Sequence, residues 1–113
     1  MVKPNKLQAA PPYPVSQALK HLGENLRTAR IRRNMTQDEV AERLGTGRRA
    51  IMDAEGGKPS TGMVVYAGLL WLYDLLQPLE DLADPSKDKE GLALQATRER
   101  KRARKAGGLD NEF

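Results

Sequence analysis

Apolar positions along the chain recur at helical spacing, and no stretch alternates with the period of two that a strand requires. Leu19, Leu22, Leu26 and Ala29 line one face of a first helix, with Ser16 as N-cap and an end near Arg33. Gly23 interrupts that stripe and predicts a bend or a restart. Thr36, with Glu39 three residues on, forms a capping box for a helix from Gln37 to Leu44 that turns Val40, Ala41 and Leu44 inward. Gly45 stops it. A third helix from Gly47 to Glu55 turns Ile51 and Ala54 inward and stops at Gly56-Gly57.

Ser60 or Thr61 caps a fourth helix that runs to about Leu76. Its sequence, MVVYAGLLWLYDLL, is apolar nearly all round, the mark of a core helix or of one shared with a second subunit. Tyr66, Trp71 and Tyr73 read as core or interface packing. Pro78 opens a short fifth helix, LEDLAD. The fold class is therefore all-α. Residues 1–14 hold four of the chain's seven prolines and read as a flexible arm. Residues 15–83 form the helical domain, and residues 84–113 read as a basic, disordered tail.

Composition narrows the chemistry. With 113 residues, 4% aromatics and 30% charged residues, the core is small and aliphatic, and oligomerisation is a common support for such a domain. There is no cysteine and one histidine, His21, so thiolate metal sites are excluded and no metal cluster is expected. No cofactor loop, nucleophile motif or catalytic dyad is present, because Asp38 and Glu39 head a helix and complement its dipole. The N-terminal stretch lacks the apolar run of a signal peptide, and Gly68 and Asp74 interrupt the most apolar segment. The expectation is a cytoplasmic, non-enzymatic protein with no membrane segment. The net charge of +4 suits a polyanionic partner.

Residues 24–82 resemble the Cro/CI-type (XRE-family, lambda-repressor-like) helix-turn-helix domain. The resemblance rests on Leu26, Arg30, Thr36-Gln37, Val40-Ala41, Leu44-Gly45, Ile51, Glu55 and Gly57-Lys58-Pro59, followed by a helix with Leu69 and Leu72. It implies a five-helix domain whose third helix enters the DNA major groove with its N-terminal residues at base edges. The base-reading positions are then Gly47, Arg48, Arg49, Met52 and Asp53. Arginine is the commonest specific reader of guanine. Asp53 either accepts from cytosine or holds Arg49 in its reading rotamer, and the second role is favoured because a carboxylate near phosphates needs a cationic partner. Thr36, Gln37, Lys58 and Arg33 fall at phosphate-contacting positions, and Arg30 and Glu55 match a partly buried ion pair. Arg27 reads as merely solvated.

A domain of this kind reads double-stranded DNA as a homodimer on a palindromic operator. Trp71, Leu72, Leu75 and Leu76 are the candidate dimer interface, the alternative being that all four are intramolecular core. The tail segment ATRERKRARK carries six basic groups against one acid and suits either phosphates or an acidic partner. Asp84-Pro85, Asp88 and Gly91-Leu92-Ala93-Leu94, with that basic end, are similar to HipB-type antitoxins. That similarity implies autoregulation of an operon and binding of a HipA-type kinase toxin. The competing readings are a stand-alone repressor and an interaction module of the same fold that does not act through DNA.

Overall fold

The computed structural model describes residues 5–110, and the regular structure among them is all helix, with no strand. The chain forms two compact units, one ending at Leu79 and the other starting at Glu80. Residues 1–4 of the expected arm and 111–113 of the expected tail lie outside the described residues.

In the first unit, one turn, α1 (Lys6–Ala9), is capped by the Asn5 side chain accepting from the Gln8 amide at 2.7 Å. Helix α2 (Tyr13–Arg32) follows, then α3 (Gln37–Leu44), α4 (Arg48–Glu55) and α5 (Met63–Leu72). Helix α6 (Gln77–Glu80) spans the division between the units. The expectation of an unstructured arm to residue 14 is corrected here. Pro12 and Pro14 lie at the start of α2, where a missing amide costs no helical bond and a fixed φ is already suitable. The helix therefore starts before Ser16.

The capping box on α3 forms as expected. Thr36 Oγ1 accepts from the Glu39 amide at 3.1 Å, and Glu39 Oε1 accepts from the Thr36 amide at 3.2 Å. Helices α2 to α5 all end in one way, with a left-handed residue followed by paired backbone bonds to the preceding turn. Gly45 has φ 71°, and the Thr46 amide donates to the Ala41 carbonyl at 2.9 Å. Asn34 (φ 53°), Gly57 (φ 66°) and Asp74 (φ 59°) do the same for α2, α4 and α5. Asp74 explains why α5 stops at Leu72 instead of reaching Leu76: the left-handed turn reverses the chain although the sequence stays apolar.

Helix α4 packs against α2, α3 and α5. Its Ile51 and Ala54 are buried with Leu26, Val40, Tyr66, Leu69 and Tyr73 in one core. Gly23 neither bends nor interrupts α2; it lies buried where the end of α4 crosses the helix.

In the second unit, a 3-10 turn (Pro85–Lys87) precedes α7 (Lys89–Asp110). This corrects the expectation of a disordered tail. The physical reason is local: Glu90, Leu92, Ala93, Leu94, Gln95 and Ala96 are strong helix formers, and Asp88 Oδ1 accepts from the Gly91 amide at 3.0 Å at the helix start. Asp84 likewise accepts from the Ser86 amide at 2.9 Å and the Ser86 hydroxyl at 2.8 Å, and these bonds lower its proton affinity. The Asp-Pro-x-x-Asp-x-x-Gly spacing is thus two successive caps. A Cβ at Gly91 would meet the Asp88 carboxylate, an exposed side chain that can turn away only by giving up its cap on the Gly91 amide.

Candidate nucleic-acid interface

Gly45 and Thr46 turn the chain between α3 and α4, and Gly47 is the extended N-cap of α4. A side chain at Gly47 would meet open space, so packing does not demand glycine there. Ile51, Ala54 and Glu55 face inward, which leaves Arg48, Arg49 and Met52 exposed on the opposite side. The period of the helix therefore puts the expected base-reading residues on one outward face, with Asp53 at its edge.

Each arginine is held by a neighbour. Arg49 Nε lies 3.3 Å from Asp53 Oδ1, one turn along α4. The other Asp53 oxygen is 3.8 Å from Lys58 Nζ, so two cations share this carboxylate. The Asp53 carboxylate thus faces both Arg49 and Lys58. Arg48 Nε lies 3.5 Å from Gln37 Oε1 and 3.9 Å from Asp38 Oδ1, at the start of α3. These contacts are long and exposed, so they bias a rotamer without locking it.

Behind this surface, Arg30 Nε and Nη2 donate to Glu55 at 2.7 and 3.1 Å. Arg30 Nη1 also donates to the Met35 carbonyl at 2.9 Å. Hydrogen bonding to Glu55 raises the Arg30 proton affinity, against the opposing effect of burial. Gln37 Nε2 donates to Glu55 Oε1 at 3.1 Å, which turns the Gln37 carbonyl oxygen toward Arg48. A continuous chain thus runs from Arg30 through Glu55 and Gln37 to Arg48.

An open cleft of 480 Å³ lies beside the α3 N-terminus, lined by Arg27, Arg30, Thr36, Gln37, Asp38 and Arg48 among others. A helix start supplies amide donors and partial positive charge, and three arginines surround it. Arg27, read from the sequence as solvated, belongs to this set. Its position three residues before Arg30 on α2 was the available signal. Arg33 is corrected in the other direction. Its guanidinium donates to the Ala29 and Tyr73 carbonyls, each at 2.9 Å, and sits 5.2 Å from the Tyr73 ring centroid. It ties α2 to the end of α5 rather than standing free for phosphate.

The candidate dimer residues also divide. Trp71 and Leu75 are exposed, Leu76 is half-buried, and Leu72 packs against the protein's own core. Met63 and Val64, in the same apolar stretch though not among those four, are exposed on the same side of α5 as Trp71.

The family described as a helix-turn-helix domain matches residues 21–83, more than half of the chain. The chain belongs to that family. The match contains α3, the turn and α4, and makes the protein a DNA-binding regulator of the helix-turn-helix class. It stops at residue 83, before the Asp84–Leu94 segment. Searches of curated proteins and of solved structures returned no match. Among the described residues, no helix is long and apolar enough to cross a membrane, and no group of three or more His, Asp or Glu residues is placed to hold a metal ion.

Proposed function

We propose that this helix-turn-helix protein is a cytoplasmic, sequence-specific repressor that binds a palindromic operator as a homodimer. In this reading α4 enters the major groove and Arg48 and Arg49 read guanines. The observation that carries it is the first turn of α4: two exposed arginines side by side, one steered by Gln37 and Asp38 and the other by Asp53. Gln37 and Thr36, joined by Arg27, contact phosphates around the α3 N-terminus, and Lys58 does so beyond the end of α4. Dimerisation uses the exposed side of α5, with Met63, Val64 and Trp71, and the adjacent Leu75.

The test is binding to an operator selected from a random-sequence duplex library. Arg48→Ala and Arg49→Ala are each expected to weaken operator binding by about 1–3 kcal/mol and to relax the preference at one base pair per half-site. Two chains should bind per site in the same titration. Loss spread evenly over all sequences would move those arginines onto phosphates and refute base reading.

The finer reading is an antitoxin that represses its own operon and neutralises a HipA-type kinase toxin by binding. Its support is the similarity of residues 84–94. Asp84, Asp88 and Gly91 of that segment serve as caps, which leaves the exposed Leu92 and Leu94 as its docking residues. Co-expression with the neighbouring reading frames and affinity capture should recover a kinase-like protein with the intact chain, and Leu92→Ser/Leu94→Ser should lose it. Capture of DNA alone would leave a stand-alone repressor.

A further inference from the structure

We infer that α7 is a second DNA-contacting surface, a basic helix that lies on the phosphate backbone and adds affinity without reading sequence. The inference rests on the DNA-binding reading above. Arg98, Arg100, Lys101, Arg102, Arg104 and Lys105 are all exposed on this helix. At 3.6 residues per turn they occupy an arc of roughly 200°. The remaining arc carries Leu92, Gln95, Ala96, Glu99, Ala103 and Ala106. Charge is thus segregated around the axis and not scattered over it.

The charge density matches a duplex. The six cations fall within about 11 Å of helix axis. DNA presents about one negative charge per 1.7 Å, or roughly six over that length. The helix also carries unrelieved repulsion. Arg98 and Arg102, Arg100 and Arg104, and Lys101 and Lys105 are like charges at i,i+4, which oppose helix formation. Glu99 is the one acid among them, and its carboxylate accepts from Gln95 at 3.0 Å. A polyanion removes that repulsion. The opposite arc, in which Glu99 is the one acid, argues against a membrane as the occupant of the basic arc. It has no aromatic anchor, and Leu92 and Leu94 point to different sides, so no continuous apolar face exists to enter a lipid surface.

The experiment uses the full chain, a random-sequence duplex, and KCl from about 50 to about 200 mM. Binding by the unaltered protein is compared with Arg98→Gln/Lys101→Gln/Arg102→Gln/Lys105→Gln. The plot of log affinity against log salt should become shallower by about two to four. Affinity at the lowest salt should fall more than tenfold, while the ratio of operator to random binding stays unchanged. Helix content by circular dichroism should hold or rise, because glutamine is a good helix former and the repulsion is gone. Arg98→Lys/Arg102→Lys should keep the slope. An unchanged slope in the glutamine variant, with the unaltered protein still binding, overturns the α7 inference alone. No binding by the unaltered protein at any salt overturns the DNA reading itself. A slope that falls equally in the lysine variant would place specific arginine contacts here and refute backbone tracking.

Discussion

Glu55→Ala is expected to remove a large share of the domain's stability, about 3–5 kcal/mol. Glu55 is the one buried charged residue of the core region, with its side chain 4% exposed and the Arg30 side chain 12% exposed. Deleting the carboxylate leaves the mostly covered Arg30 guanidinium at the wall of the cleft with only the Met35 carbonyl to accept from it among protein groups. Gln37 Nε2 loses its acceptor at the same time. A domain of this size is held by roughly 4–12 kcal/mol, at the usual stability per residue. The loss should appear as a fall in Tm of about 15–30 °C in thermal unfolding. A fall of less than about 5 °C would mean that water reaches Arg30 and that the pair is not a structural element. The double variant Arg30→Met/Glu55→Met separates the two components. It leaves no unpaired charge and should recover most of the Tm. It should not recover operator selectivity, because Gln37 still lacks the acceptor that turns its oxygen toward Arg48.

What could be read from the sequence was whatever depends on near neighbours in the chain. The α3 capping box needs only Thr36 and Glu39. The stop after Leu44 needs only Gly45, and the outward face of α4 follows from the spacing of Ile51 and Ala54. The features that escaped depend on partners far along the chain. Arg33 looked like a free cation because its acceptor, the Tyr73 carbonyl, lies 40 residues away. Arg27 gains its place when the α3 N-terminus is brought beside it, which its spacing from Arg30 alone does not fix. The end of α5 was hidden for a different reason. Asp74 takes a left-handed turn that glycine or asparagine usually signals, inside an apolar stretch that continues through Leu76. In α7 the charge run suggested disorder, while the helix-forming residues before it and the Asp88 cap carried the opposite signal.

Gly23 is the sharpest case, because sequence rules and structure give opposite signs for one substitution. By helix propensity, Gly23→Ala should stabilise α2 by about 1 kcal/mol. Here, however, a Cβ would lie 2.5 Å from the Glu55 carbonyl oxygen, 2.7 Å from that of Ala54 and 2.8 Å from the Glu55 carbonyl carbon. All three atoms are backbone, so no side chain can rotate away. Either α2 or the end of α4 must move, and moving α4 draws Glu55 off Arg30. Overpacking of this kind costs about 1–3 kcal/mol and more where the backbone must shift, so it exceeds the propensity gain. Gly23→Ala is expected to destabilise by about 2 kcal/mol or more and to weaken operator binding by disturbing the seat of α4. Gly68→Ala is the matched control. A Cβ there would meet Leu44 methyl groups at an ordinary 3.6 Å inside α5, so the same change should stabilise by about 0.5–1 kcal/mol. Chemical denaturation of both variants decides the matter. Equal and positive effects would show that α2 and α4 do not cross as closely as the backbone places them. A loss at Gly23 that shrinks in the Arg30→Met/Glu55→Met background would show that the close approach and the ion pair act as one unit.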